Sequence, residues 1–304
     1  MSTIVLTTAR SILQLSLLIL IGIFAFRIKL IRKEGILSVN NILLHLALPA
    51  TLLHSFQMEI LFENKELLLS AFILSIMFMA LNFVLAYIIV PRGPGCQAAR
   101  ASVAFTNNGF IGIPLLTAIY GDIGTFYASV SNVVGCIYVF GMLPLVLSGS
   151  FSLRDLVTKS LNDKMIVCLI AMLLLFADIR LPEFFMAPVG NLASMTTPLA
   201  LISVGTILAE SHFRDMFSRR VIWFSCLRNL LLPVIAGLCF RFVSSDPVML
   251  TSYYVLAATP TASLAVVYTE QAGLPTEEIS GVFLLTTIAS AFTIPLVVLI
   301  MSMI

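Results

Sequence analysis

The chain has 304 residues, of which 60% are hydrophobic and 11% charged, with a formal net charge of +2. A soluble domain is about 25% charged, so a soluble chain of this length would lack the polar groups to cover its surface. The composition is that of an integral membrane protein, and the small net charge argues against nucleic acid as a partner. Cys96, Cys136, Cys168, Cys226 and Cys239 stand singly, with no CxxC and no histidine at ligand spacing, which argues against a disulfide framework or a zinc site. No cofactor is expected.

Taken in chain order, cuts at polar and Pro/Gly clusters leave ten apolar segments. They lie near 5–26, 36–57, 67–90, 97–120, 125–148, 163–181, 187–209, 221–243, 250–271 and 277–302, most of them close to the ~20 residues that a hydrocarbon core needs. The first run is followed by Arg27, Lys29, Arg32 and Lys33 rather than by a small-residue cleavage site, so it reads as a retained helix. Continuous rather than alternating runs exclude a β-barrel. The expected fold class is therefore all-α integral membrane, with ten transmembrane helices and a polar linker, 149–162, at the midpoint.

Charge sets the orientation. Alternate loops on one side carry twelve Lys and Arg, among them Arg92, Arg100, Arg154, Lys159, Lys164, Arg214, Arg219 and Arg220. The other side carries four, Arg10, Lys65, Arg180 and Arg241. By the positive-inside rule the first side, with the linker, is cytoplasmic, and both termini lie on the non-cytoplasmic side.

Five segments per half is an odd number, so an internal duplication has to be inverted in the membrane. Pro49, Gly121 and Pro144 find counterparts in Pro198, Gly273 and Pro295, at offsets of 149, 152 and 151 residues. Met142–Leu147 (MLPLVL) resembles Thr293–Val298 (TIPLVV). The expected organisation is a first inverted repeat at 1–148 (helices 1–5) and a second at 163–304 (helices 6–10). Such repeats characterise secondary transporters.

Two corresponding segments carry breaks. In segment 4, Thr106-Asn107-Asn108-Gly109 leads into Gly112-Ile113-Pro114. Asn and Gly are poor helix formers, and Pro removes an amide and clashes with the preceding turn. In segment 9, Thr259-Pro260 reads as a helix start, with Thr at N-cap and Pro at N1. Half-helices beginning at Pro114 and Pro260 would converge near the midplane and suit an anion, although the C-terminal ends of the preceding half-helices point there too. Lone prolines elsewhere, Pro49 and Pro233 among them, read as kinks. Unwound backbone at membrane depth is tolerated only where it is buried or lines a cavity. The candidate binding residues are therefore Asn107, Asn108, Gly109, Gly112 and Pro114, with Thr259, Pro260 and Thr261 opposite.

Arg228, about two turns into segment 8, has two readings of equal weight: anchoring a substrate carboxylate, or snorkelling to the cytoplasmic surface. His45 and His54 fall on opposite helix faces and read as packing or interfacial residues rather than a proton relay. Hydroxyls and amides gather in segments 5 (Ser129, Ser131, Asn132) and 10 (Thr286, Thr287, Ser290, Thr293), where bonds between helices explain them. Asn132 is carried forward as a supporting contact. No HExxH, no P-loop and no intramembrane nucleophile with a base at its depth is present, so an enzyme is not expected.

These residues carry a resemblance. Asn107–Pro114 (NNGFIGIP), followed by LLTAIYG, resembles the fourth-helix motif of the auxin efflux carrier family, which includes bacterial malonate-type carriers and plant auxin exporters. ATPTASLAVVYTEQAG in segment 9, LPATLLHS in segment 2, TPLALISVGTILA in segment 7 and the basic loop after segment 1 are also similar, so the resemblance covers nearly the whole chain. It implies a five-plus-five inverted fold resembling the sodium–bile acid symporters. In that fold helices 4 and 9 cross as broken helices, and helices 1, 2, 6 and 7 form a scaffold panel. It also implies transport of small organic anions by a carrier, with Asn107 beside the substrate. Two departures stand out. Plant members carry a second proline where this chain has Ala265, and only Thr261 and Ser263 stand where bacterial members often place an asparagine. The expected partners are a small organic anion, mono- or dicarboxylate, the lipid bilayer of a bacterial inner membrane and, as an option, a second copy of the chain. Coupling to H+ or Na+ is left open. A passive anion channel and a sensor without transport are the alternatives.

Overall fold

The computed structural model describes residues 2–303 apart from positions 64, 92, 94, 151, 153, 155–161 and 211–217. Most of the 149–162 linker lies outside the described residues, as do Arg92, Lys159 and Arg214 of the charge count. Among the described residues there is no strand beyond one isolated bridge; the rest of the regular structure is helical.

Helix α1 spans Ser2–Arg27. Helices α2 (Lys33–Ile42) and α3 (Leu48–Phe56) are joined by a π-helical turn, Leu43–Ala47. A short α4 (Glu59–Glu63) precedes α5 (Lys65–Ile89). Helix α6 (Cys96–Ala104) is separated by unwound chain and a π turn, Asn108–Gly112, from α7 (Ile113–Ser148). The second half contains α8 (Asp163–Phe176), α9 (Glu183–Ser194) and α10 (Thr196–Glu210). Helices α11 (Arg219–Cys226) and α12 (Leu232–Phe240) flank a third π turn, Leu227–Leu231. Helices α13 (Pro247–Ala257), α14 (Ser263–Gln271) and α15 (Glu277–Met303) complete the chain.

Each of the ten apolar segments is helical over most of its length. By length and composition, six stretches suffice to cross a membrane: Gly35–Glu63, Leu67–Ile89, Leu115–Ser148, Glu183–Glu210, Arg219–Phe240 and Glu277–Ile300. Leu13–Arg27 and Pro247–Ala257 are shorter apolar helices. Leu30, Leu69, Phe184, Phe242 and Phe292 face outward, while asparagines 40, 82, 107, 108 and 229 are buried. This is an apolar exterior around a partly polar interior, as lipid solvent demands. The chain is a multi-pass membrane protein.

Two local devices shape the helices. Helix α7 turns back on itself at Gly121, whose φ of 61° and ψ of −135° are open to glycine and costly for other residues. This divides segment 4 from segment 5. The second device lies before proline. Pro49, Pro114 and Pro233 each occupy the second position of the α-helix that follows a π turn. A proline ring clashes with the carbonyl four residues back. The π turn relieves this by shifting the preceding bond to the fifth residue: Leu48 donates to Leu43, Ile113 to Asn108 and Leu232 to Leu227. The kinks expected at Pro49 and Pro233 are therefore π turns.

Helices α1 and α10 pack backbone to backbone. A Cβ on Gly205 would lie 2.2 Å from the Ile19 carbonyl oxygen, and one on Gly22 would lie 2.3 Å from that of Ile202. In lipid, where the apolar drive between helices is absent, such small-residue contacts recover dispersion energy. Helix α3 joins this group through the Thr51 hydroxyl, 2.6 Å from that of Thr196 and 3.3 Å from the Ala193 carbonyl.

Candidate binding site at the helix crossover

Two helices unwind at the same place. Helix α6 stops at Ala104 and the chain is unwound through Phe105–Asn107; α13 stops at Ala257 and the chain runs to Ala262 before helix resumes. The two unwound segments pair antiparallel at Thr106 and Thr261. The Asn107 amide donates to the Pro260 carbonyl at 2.9 Å, and the Ala262 amide donates to the Phe105 carbonyl at 3.0 Å. Each segment thus supplies backbone partners that the other lost on leaving the helix, which removes the cost of burying unpaired peptide groups. Proline fits because Pro260 contributes only its carbonyl.

The helix starts differ from the expectation. Helix resumes at Asn108, as a π turn, and at Ser263, with Ala262 in the capping position and no side-chain cap. The first start precedes Pro114, which the π turn accommodates as the second residue of α7, and the second is delayed past Pro260, whose carbonyl is held by the Asn107 amide. Nor does Thr259 cap the second half-helix. Its hydroxyl lies 2.8 Å from both the Leu256 carbonyl and Asn108 Oδ1, so it closes the end of α13 and ties it to the other break.

Several polar side chains are committed to this framework. Asn108 Nδ2 donates to Ser131 Oγ at 3.0 Å, and the Thr261 hydroxyl donates to the Ser102 carbonyl at 2.7 Å. The Thr261 amide donates to Thr286 Oγ1 at 3.2 Å. Three neighbouring atoms are not committed. Asn107 Nδ2, Ser263 Oγ and the Tyr138 hydroxyl are buried without a hydrogen-bond partner, and all three residues line one cavity of about 70 Å³. Buried polar atoms are nearly always paired, so three orphans around one void mark a place where a polar ligand fits.

Besides Met79 of α5, the cavity walls come from four sources. Thr106, Asn107, Asn108 and Gly109 form one, and Ala262, Ser263 and Leu264 at the start of α14 form another. Asn132, Tyr138 and Phe140 of α7 contribute a third, and Leu48, Thr51, Leu52 and Thr196 close the side towards α3 and α10. Residues of two helix starts, whose first amides have no partner within the helix, therefore stand in the wall. No charged side chain lines it. At about 70 Å³ it has room for several waters or one small organic ion.

Of the sequence-derived candidates, Asn107, Asn108, Gly109 and Asn132 line the cavity. Asn132 donates to Ser55 Oγ at 3.3 Å. Thr259, Pro260 and Thr261 stand behind the wall as parts of the crossover. Gly112 packs towards Leu256 and Thr259, and Pro114 is the second residue of α7. Sequence reasoning missed Ser263, Tyr138, Thr51 and Thr196 as wall residues. The break at Thr259-Pro260 brings Ser263 within reach as the second polar residue beyond it, after Thr261; nothing in the sequence points to Tyr138 or Thr196. His45 and His54 lie at the exposed surface, His45 with its Nδ1 3.1 Å from Asp163 Oδ2.

Arg228 stands apart. It is fully buried, so it does not snorkel, and it is absent from the cavity wall. Its Nη1 donates to the Ala257 carbonyl at 3.1 Å and its Nη2 to the Thr259 carbonyl at 2.9 Å, at the C-terminal end of α13. A cation is favoured there by the helix dipole and by the free carbonyls.

A family model described as "membrane transport protein" matches residues 7–150 and 150–298. The chain is also similar to an uncharacterized transporter of Methanothermobacter thermautotrophicus, 24% identical over 303 residues, a stretch covering 95% of this chain and 97% of that protein.

Proposed function

Because the chain belongs to the membrane transport protein family, that of the auxin efflux carriers, and is a transporter rather than an enzyme, we propose that it is a secondary carrier of small organic anions. The substrates are mono- or dicarboxylates, and the anion binds in the crossover cavity. The observation that carries this reading is Asn107 Nδ2, without a partner in a residue 5% exposed, beside two helix starts whose first amides are further donors for a carboxylate. Ser263 and Tyr138 supply further donors. The apolar part of the wall accepts the carbon skeleton.

The same reading takes the fold as ten transmembrane helices in an inverted five-plus-five repeat, with 1–148 and 163–304 as the two repeats and both termini outside a bacterial inner membrane. The position of the cavity supports alternating access by an elevator or rocking-bundle motion. One side of it belongs to α3 and α10, which pack with α1 and α9, and the other to the crossover helices. Sliding of one group against the other carries the anion from one face to the other without opening a continuous pore.

Counterflow tests this. Purified protein is reconstituted into liposomes preloaded with unlabelled malonate, succinate, lactate or an indole carboxylate, and uptake of the labelled anion is followed. Saturable uptake of at least one anion, accelerated by the same anion inside, is the expected result. Uptake that does not saturate and is indifferent to the internal anion describes a channel. No protein-dependent movement of any of the four overturns the anion reading.

A further inference from the structure

The helix ends at the crossover do not by themselves choose a sign of charge. The starts at Asn108 and Ser263 each bring roughly half a positive charge, and the ends of α6 and α13 each bring roughly half a negative one. The four contributions largely cancel. A cavity so built, walled by uncharged side chains, has little reason to prefer an anion over its neutral isostere.

Arg228 breaks the balance. Its guanidinium carries a full positive charge at any physiological pH, and its residue is 0% exposed. Its hydrogen bonds go to two backbone carbonyls, and Nε has no partner. Among the described residues no carboxylate pairs with it; the ion pairs found join His45 and Lys164 to Asp163, Arg180 to Glu59 and Arg220 to Glu278. A buried cation without a counter-ion is expensive, and the end of α13 offsets only part of it. Through the Thr259 carbonyl Arg228 also fixes the residue whose hydroxyl reaches Asn108 on the cavity wall.

We infer that Arg228, buried behind the crossover and touching no substrate, is the residue that makes the cavity select anions, the bound anion serving as its missing counter-charge across the Thr259–Asn108 layer. It is a positioning and charge-selecting residue. This deepens the proposed function and rests on it. A unit charge a few side chains away, in a partly polar interior, gives roughly a tenfold preference for a carboxylate over the corresponding amide.

The test compares each anion with its neutral twin: lactate with lactamide, and an indole carboxylate with its carboxamide. Ligand-dependent thermal stabilisation of the purified full-length protein is measured for wild type, Arg228→Gln and Arg228→Lys. Gln keeps donors for the two carbonyls but loses the charge; Lys keeps the charge but cannot bridge both carbonyls in the same way. The expected result is a carboxylate preference of roughly tenfold in wild type, retained in Arg228→Lys and abolished in Arg228→Gln. A folded Arg228→Gln that still prefers the carboxylate overturns the inference and leaves the proposed function standing. Where Arg228→Gln is not recovered folded, Arg228→Lys decides: loss of the preference with the charge retained overturns the inference. A wild type that prefers neither carboxylate overturns both.

Discussion

The backbone amide of Asn107 donates to the carbonyl of Pro260 across 2.9 Å, joining two helices at the point where each has come apart. Neither break is stable alone at membrane depth, since each exposes peptide groups with no water to satisfy them. Together they form a short two-stranded contact whose neighbouring side chains split into two classes. Asn108, Thr259 and Thr261 hold the crossover; Asn107, Ser263 and Tyr138, which line a cavity, are left with uncommitted polar atoms.

The first class predicts losses of stability. Thr259→Val removes a hydroxyl without changing the shape of the side chain and leaves Asn108 Oδ1 buried without its Thr259 donor. Such a deletion costs about 1–3 kcal/mol. Thr259→Ser keeps the hydroxyl. Thermal unfolding in detergent should place the Val variant clearly below wild type and the Ser variant close to it; equal values for all three would contradict the hydrogen bond's role.

The α1–α10 contact predicts a larger effect from a smaller change. Gly205→Ala places a Cβ 2.2 Å from a backbone oxygen of Ile19, which no rotamer change relieves. Overpacking of this kind costs about 1–3 kcal/mol. Gly35→Ala is the control: it lies in α2 with open space around it and gains helix propensity of about 1 kcal/mol at most. Unfolding of the two variants should shift in opposite directions or leave Gly35→Ala unchanged. A Gly205→Ala protein as stable as wild type would mean that α1 and α10 do not approach so closely.

Asn40 links three helices. Its Nδ2 donates to Glu270 Oε2 at 2.8 Å and its Oδ1 accepts from Ser203 Oγ at 2.5 Å, at 0% exposure. Asn40→Leu removes these bonds and leaves Ser203, also buried, without the acceptor it has here. The expected loss is about 1–3 kcal/mol, read by thermal unfolding, and Asn40→Gln should not restore it because the longer side chain cannot hold both partners at these distances.

How far the sequence discloses this arrangement depends on whether a feature is local. Asn107-Asn108-Gly109 and Pro114 mark the first break because poor helix formers and proline act on their own backbone. Gly121, with its positive φ, marks the turn for the same reason. Thr259-Pro260 marks the second break equally well but misleads about the helix start, since a Thr-Pro pair is a good N-cap in isolation. Here the Pro260 carbonyl is taken by Asn107, 153 positions away in the chain, and helix has to wait until Ser263. Ser263 is in reach of the local signal. Tyr138 and Thr196 are not, because their place on the wall depends on which helices meet. Arg228 is visible as a charge at depth, yet its partners are backbone carbonyls of another helix, which no side-chain pattern announces.

The central claim is that the uncommitted amide of Asn107 holds the transported anion, and Asn107→Ala tests it most directly. Nothing bonds to Asn107 Nδ2, so the variant loses no hydrogen bond from that atom and should unfold within about 1 kcal/mol of wild type. Its affinity should fall by roughly ten- to a hundredfold, the worth of a hydrogen bond to a charged group. The measurement is counterflow of the exchanged anion in proteoliposomes holding equal amounts of folded wild type and Asn107→Ala. The account predicts undiminished folding and an apparent affinity weakened by at least tenfold. Exchange of equal affinity and rate in the two proteins would contradict it, and would place the anion elsewhere than the crossover.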